Sequence, residues 1–133
     1  MEEISPRETG ALQLAYIGDT VYDLYVRTYL VRTSHGTAHK LHMMSTEFVR
    51  ASAQAKAYHD MEDLLTEEEK AVFRRGRNAH SGTVPKNANV QDYRVATGLE
   101  ALIGYLYLSG RQERLNLLMN RALLTHLEEK EHD

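Results

Sequence analysis

The stretch Val95–Gly110 contains a single charged residue, Glu100, set in apolar sequence and bracketed by Gly98 and Gly104. An unpaired ionised carboxylate in such a setting costs several kcal/mol. It must shift its pKa, find a cation or bind a metal. A second stretch, Thr9–Val26, repeats the pattern: it is mostly apolar, its only charges are Asp19 and Asp23, and Gly18 directly precedes Asp19. Each glycine inside a helix costs about 1 kcal/mol relative to alanine. Gly18, Gly98 and Gly104 therefore predict close backbone approach at the two carboxylates, with two buried helices facing each other. Asp19 shares a helical face with Leu12, Ala15, Tyr22 and Val26. Asp23 lies one turn further on and offers a third acidic oxygen. Oxygen-only donors favour Mg²⁺, which keeps several waters and uses few carboxylates. The competing reading is a salt bridge from Asp19 to Arg27 or Arg94. Asp23, four residues before Arg27, suits a helix-surface ion pair equally well.

The rest of the chain reads as helix. Its two prolines stand at Pro6 and Pro85, leaving a long uninterrupted middle. The first helix is expected to run on to about Val31. Leu41, Met44, Phe48, Ala51 and Ala55 recur at helical spacing, which predicts a second helix over 37–58. Thr66 followed by Glu69 is a capping-box pattern opening a short helix over 67–77. Residues 78–91 have no hydrophobic period and form a loop. The Glu100 helix spans 92–109, with Gly110 just past its end. Leu115, Leu118, Met119, Ala122 and Leu123 mark a last amphipathic helix. No segment alternates as a strand does, so the fold class is all-α. With 133 residues, the chain is expected to be a single domain, 1–133, with its core over about 9–125. There are no cysteines, which excludes a disulfide framework and a thiol nucleophile and fits a reducing compartment. No apolar run approaches a membrane span, and the acidic, polar start MEEISPRETG is unlike a signal peptide. A cytoplasmic location with no membrane partner is expected.

Charge is unevenly spread. The net charge is −3, yet residues 71–91 carry Arg74, Arg75, Arg77 and Lys86 and no acid, a local +4 that leaves −7 on the remainder. Arg74, Arg75, Arg77, His80, Lys86 and Arg94, with Asn78 and Asn87 among neutral donors, suit the phosphates and 2′-hydroxyls of an A-form duplex. The bland reading is a solvated helix end whose arginines complement the helix dipole. His35, His39 and His42 also fall near helical spacing. They read either as a zinc set or as surface residues beside a groove.

These residues resemble a known family. Ala15-Tyr16-Ile17-Gly18-Asp19-Thr20-Val21 resembles the ribonuclease III motif around its first catalytic aspartate. Glu100-Ala101-Leu102-Ile103-Gly104, followed by Tyr107-Leu108, resembles that family's second acidic motif. Residues 74–87 with Tyr93-Arg94 look like the Mini-ribonuclease III branch, which has the catalytic domain and no double-stranded-RNA-binding domain. Family acids are replaced at three places, by Leu12, Ala15 and Thr97. The resemblance implies a ribonuclease III endonuclease-like helical domain that cleaves double-stranded RNA with Mg²⁺ (Mn²⁺ substituting). It implies Asp19 and Glu100 as catalytic metal ligands, with Asp23 or Thr97 reached through water. It further implies a homodimer that matures large-subunit ribosomal RNA precursors, leaving 5′-phosphate and 3′-hydroxyl ends. The alternative is a non-catalytic helical RNA-binding or ribosome-assembly module. Apolar Val21–Val31, with Tyr22, Tyr25 and Tyr29, is the expected dimer-forming segment.

Overall fold

The computed structural model describes residues 4–79, 84, 86 and 89–131, with side chains to residue 128. Six α-helices and one short 3₁₀ turn make up its regular structure, and no strand occurs among the described residues. They are α1 (Ala11–Thr33), α2 (Ala38–Val49), α3 (Ala51–Met61), α4 (Glu67–Asn78), α5 (Val90–Leu108) and α6 (Gln112–Glu131), with the 3₁₀ turn at Glu62–Leu64. The all-α expectation holds.

Helix α5 is the hub. Leu99 and the run Ala101–Leu106 are all buried, which is why this segment is apolar nearly all round. It packs against α1, α4 and α3, and more lightly against α6. Two glycine crossings bring the helices together. At the first, a Cβ on Gly18 would stand 1.7 Å from the Glu100 carbonyl oxygen, and one on Gly104 would stand 2.0 Å from that of Leu14. Backbone meets backbone there, as the glycine spacing predicts. At the second crossing, Gly76 of α4 lies against Ala101 and Gly98, and Gly98 lies under the Phe73 ring. Gly98 therefore serves the α4–α5 contact rather than the approach of the two carboxylates, a correction to the sequence expectation.

The expected helix over 37–58 is two helices. Arg50 is extended (φ −63°, ψ 153°) and serves as C-cap of α2 and N-cap of α3. The two pieces have different hosts: α2 packs on α1, and α3 packs on α5 and α6. A continuous helix could not satisfy both. No proline or glycine marks the break, so periodicity alone ran through it.

The helix ends follow the sequence closely. The Thr66 hydroxyl accepts from the Glu69 N–H (3.1 Å), and the Glu69 carboxylate accepts from the Thr66 N–H (2.9 Å), closing the capping box. Glu69 is also buried, and Arg114 of α6 donates to it at 2.8 Å, clamping α4 to α6. Gly110 adopts φ 69° just beyond α5, where its N–H and that of Arg111 donate to the Tyr107 and Leu106 carbonyls. Only glycine takes this left-handed turn at no steric cost.

Candidate active site

The α1–α5 crossing presents Asp19 and Glu100 to each other. Gly18 lies against the main chain of Glu100, so Asp19, the next residue, is held beside the Glu100 side chain. The Asp19 carboxyl lies close enough to act directly on Glu100 and to favour its protonated form. Glu100 is pushed up from the usual 4.5 to about 8, first by burial, then by the hydrogen bond and charge of Asp19. No cation is among the groups acting on it. Asp19 itself is exposed, so the pair opens to solvent on one side.

Tyr22 of α1 lies buried near this pair, and its hydroxyl is held protonated by burial and by the Glu100 charge. Gln54 of α3 is buried, and its side chain partly offsets the rise in the Glu100 pKa. Residue-by-residue reading missed Gln54. The signal was its place one turn before Tyr58 and two before Met61, on the face that α3 buries.

No ion pair joins Asp19 to either competing arginine among the described residues. Arg27 pairs with Asp23 at 2.9 Å, the i,i+4 surface ion pair that was the alternative reading of Asp23. Arg94 is exposed on α5. The Thr97 hydroxyl donates to the Tyr93 carbonyl at 3.0 Å within its own helix.

The donor set fits a hard divalent cation. It consists of two close oxygen acids that repel unless a proton or a cation lies between them, with no arginine or lysine to take that place. Asp19 and Glu100 are the residues that would hold it. No group of three histidines or acids among the described residues is arranged for a metal. The zinc reading of His35, His39 and His42 falls accordingly. His35 lies before the N-cap Thr37, and all three are exposed.

The basic strip surrounds the Gly76 crossing, where a Cβ would meet Ala101 and the Thr97 carbonyl oxygen. The strip's helix is thus planted on α5 within a turn of Glu100. Its arginines diverge. Arg75 donates to the Thr9 carbonyl at 2.8 Å, tying α4 to the approach to α1. Arg77 lies over the Phe73 ring at 5.7 Å and donates to Asn78 Oδ1 at 3.3 Å. Arg74 is exposed and lines a surface cavity with Arg77, Lys70 and His59. Lys86 is exposed as well. His80 and Asn87 lie outside the described residues.

A model of the ribonuclease III domain matches residues 12–111. The chain belongs to the ribonuclease III family. Among ribonuclease III relatives, a Mini-ribonuclease 3 of Clostridium tetani is 43% identical over 96% of this chain and 85% of its own length. One from Thermoanaerobacter is 51% identical over 84% of this chain and 79% of its own. A crystal structure of a Fusobacterium nucleatum protein superposes with a TM-score of 0.78 at 29% identity, covering 88% of this chain and 93% of that one. As a ribonuclease III family member the protein is an endoribonuclease, from a family that acts on double-stranded RNA and generally depends on divalent metal. Among the described residues no helix is long and apolar enough to cross a membrane.

Proposed function

We propose that this protein is a Mg²⁺-dependent endoribonuclease that cuts double-stranded RNA, with Asp19 and Glu100 as the catalytic pair. The observation that carries the reading is the approach of these two carboxyls at the Gly18 crossing, with no cation among the groups acting on Glu100. A divalent cation bound there supplies Lewis acidity, acidifying water and offsetting charge as a phosphodiester is cleaved. The chain's own residues do the rest. Asp19 and Glu100 hold the charge-bearing site open towards solvent, and Tyr22 and Gln54 close it from within. Hydrolysis adds water at phosphorus and breaks the bond to the 3′-oxygen, leaving a 5′-phosphate and a 3′-hydroxyl.

The arginines flanking Gly76, with Lys86 and Arg94, would set the duplex on this site through its phosphates. The large-subunit ribosomal RNA precursor as target, and the cytoplasm as location, rest on the likeness to Mini-ribonuclease III.

The working unit in this reading is a homodimer. A duplex offers two strands related by a pseudo-two-fold axis, and one acidic site meets one strand at a time. The tyrosines of Val21–Val31 are already committed within the chain: Tyr22 is core, Tyr25 hydrogen-bonds Asn116 and Gln112, and Tyr29 packs on Phe48. Besides Leu12, the large apolar side chains of α1 left exposed are Tyr16 (81%), Leu24 (61%) and Val31 (67%), at steps of eight and seven residues along one stripe. Leu24 also lines a cleft of about 560 Å³ between α1 and α6. Tyr16 is one turn from Asp19, so an isologous contact along the stripe would bring both sites to one groove.

The test is cleavage of a long RNA duplex in Mg²⁺ by the wild-type protein, Asp19→Asn and Glu100→Gln. The amides keep shape and lose charge. Cleavage is expected to vanish in both variants while duplex binding survives. Wild-type-like turnover in either variant refutes the assignment. A wild-type protein that binds the duplex and never cuts it in Mg²⁺ or Mn²⁺ makes the chain a binding module.

A further inference from the structure

The surface cavity between α3 and α4, about 460 Å³ in volume, has walls of opposite charge. Lys70, Arg74 and Arg77 follow at steps of four and three along one flank of α4, and all three line it. Glu62 and Asp63, on the 3₁₀ turn after α3, line it as well. Among the described residues no ion pair crosses the space between these walls. Glu62 pairs instead with His59 at 3.7 Å, and Lys70 with Glu67 at 3.7 Å, each three residues away in the chain. Arg77 is held over the Phe73 ring at 5.7 Å and by Asn78 Oδ1 at 3.3 Å. Phe73 and Tyr58 also line the cavity; their buried rings are stacked, with centroids 3.6 Å apart and planes within 9°. Phe73 packs in turn on Gly98, two residues before Glu100, so the cavity backs onto the helix that carries the acid site.

A recess with a cationic wall, an acidic wall and aromatic rings between them fits a ligand that is anionic at one end and carries hydrogen-bond donors at the other. A paired duplex offers such a recess only its phosphates, whereas an unpaired nucleotide offers its phosphate and its base edge together. We propose that this cavity takes one unpaired nucleotide of the RNA, splayed out of the duplex, with its phosphate on Arg74, flanked by Lys70 and Arg77, and the amino group of its base on Glu62 or Asp63. The proposal rests on the reading of the chain as a binder of duplex RNA and is independent of the roles given to Asp19 and Glu100. The volume lies within the range of small-ligand sites. The acidic wall confers a preference. A carboxylate accepts from the N4 amino group of cytosine, while uracil has a carbonyl oxygen at that place, which a carboxylate repels. The cavity thereby sets where along an imperfect duplex the protein comes to rest.

The test compares three RNA duplexes of one sequence: fully paired, with a single bulged cytosine, and with a single bulged uracil. Binding is read by fluorescence anisotropy without divalent metal, so that nothing is cut. The wild-type protein is expected to bind the cytosine bulge at least about fivefold more tightly than the uracil bulge, a readout that needs no variant to fold. Glu62→Ala combined with Asp63→Ala should bring that ratio close to one without weakening the fully paired duplex, since two negative charges are removed. A packing defect would weaken all three RNAs alike. Lys70→Ala should weaken both bulged RNAs more than the paired one. Equal wild-type affinity for the two bulges, a ratio unmoved in the double variant, or an equal loss on all three RNAs in Lys70→Ala overturns the proposal. A wild-type protein that binds none of the three overturns the duplex-RNA reading itself, whereas equal binding of all three removes only the nucleotide site.

Discussion

Gly18 and Gly104 stand against each other where α1 and α5 cross, and each occupies space that a Cβ would need: 2.9 Å from the Gly104 nitrogen in one direction, 3.1 Å from the Gly18 nitrogen in the other. Alanine at either place is favoured by helix propensity by about 1 kcal/mol. The atoms it would strike are main chain and cannot swing aside. The expected net effect of Gly18→Ala or Gly104→Ala is a loss of stability of at least about 1–3 kcal/mol, with a fall in activity as the two carboxyls are pushed apart. Denaturant unfolding and a cleavage assay check it. A neutral or more stable Gly104→Ala with full activity would contradict the packing described.

The raised pKa of Glu100 makes stability depend on pH. Glu100 titrates near 8 in the folded chain against 4.5 ordinarily. Between those values the native state holds a proton that the unfolded chain has released. The metal-free protein should therefore lose stability as pH rises from about 4.5 to about 8. Glu100→Gln should melt higher than wild type at pH 8, and the two should converge towards pH 4.5. Mg²⁺ should raise the wild-type melting temperature at pH 7 and leave that of Glu100→Gln nearly unmoved. Parallel melting curves for the two proteins across this range would count against the coupled pair.

The strip should divide by role. Arg74 is exposed and makes no hydrogen bond or ion pair among the described residues, whereas Arg75 ties α4 to the Thr9 carbonyl. Arg74→Ala is expected to weaken duplex affinity and reduce the slope of log affinity against log salt by about 1, with melting unchanged. Arg75→Ala should lower the melting temperature as well. Fluorescence anisotropy across a salt series separates them. An unchanged slope in the triple replacement of Arg74, Arg75 and Arg77 would leave the strip as a solvated helix end.

The exposed stripe of α1 predicts where a dimer can be split. Leu24→Arg should shift the protein from about 30 kDa towards 15.2 kDa in light scattering at micromolar concentration, and reduce double-strand cleavage. Tyr22→Arg should instead unfold the chain, since Tyr22 is core. A monomeric Leu24→Arg protein that still cuts both strands at the wild-type rate would defeat the dimer reading.

Much of this was legible in the sequence, for a physical reason. A lone acid in an apolar helix and a glycine inside a helix each cost free energy, so Asp19, Glu100, Gly18 and Gly104 marked themselves as places with a compensating interaction. The capping box at Thr66 and the left-handed Gly110 are local motifs and were readable as such. What escaped reading depends on partners distant in the chain. Arg50 breaks a helix because α2 and α3 pack on different hosts, and no residue type announces that. Gln54, uncharged in an alanine-rich segment, looks like surface until Tyr58 and Met61 are known to face inwards. Gly76 read as a helix end among arginines, although it is half of a crossing with Gly98.

The contact at Gly18 and Gly104 is made of main-chain atoms, which every residue type shares. The separation of the two acids is therefore written into the backbone rather than into any side chain that could be exchanged. Surfaces built on the outer face of α4 and the outer stripe of α1 can be rewritten without retuning the chemistry. An engineer seeking a nuclease with a different grip on its duplex would leave that crossing alone and redesign the arginines around Gly76.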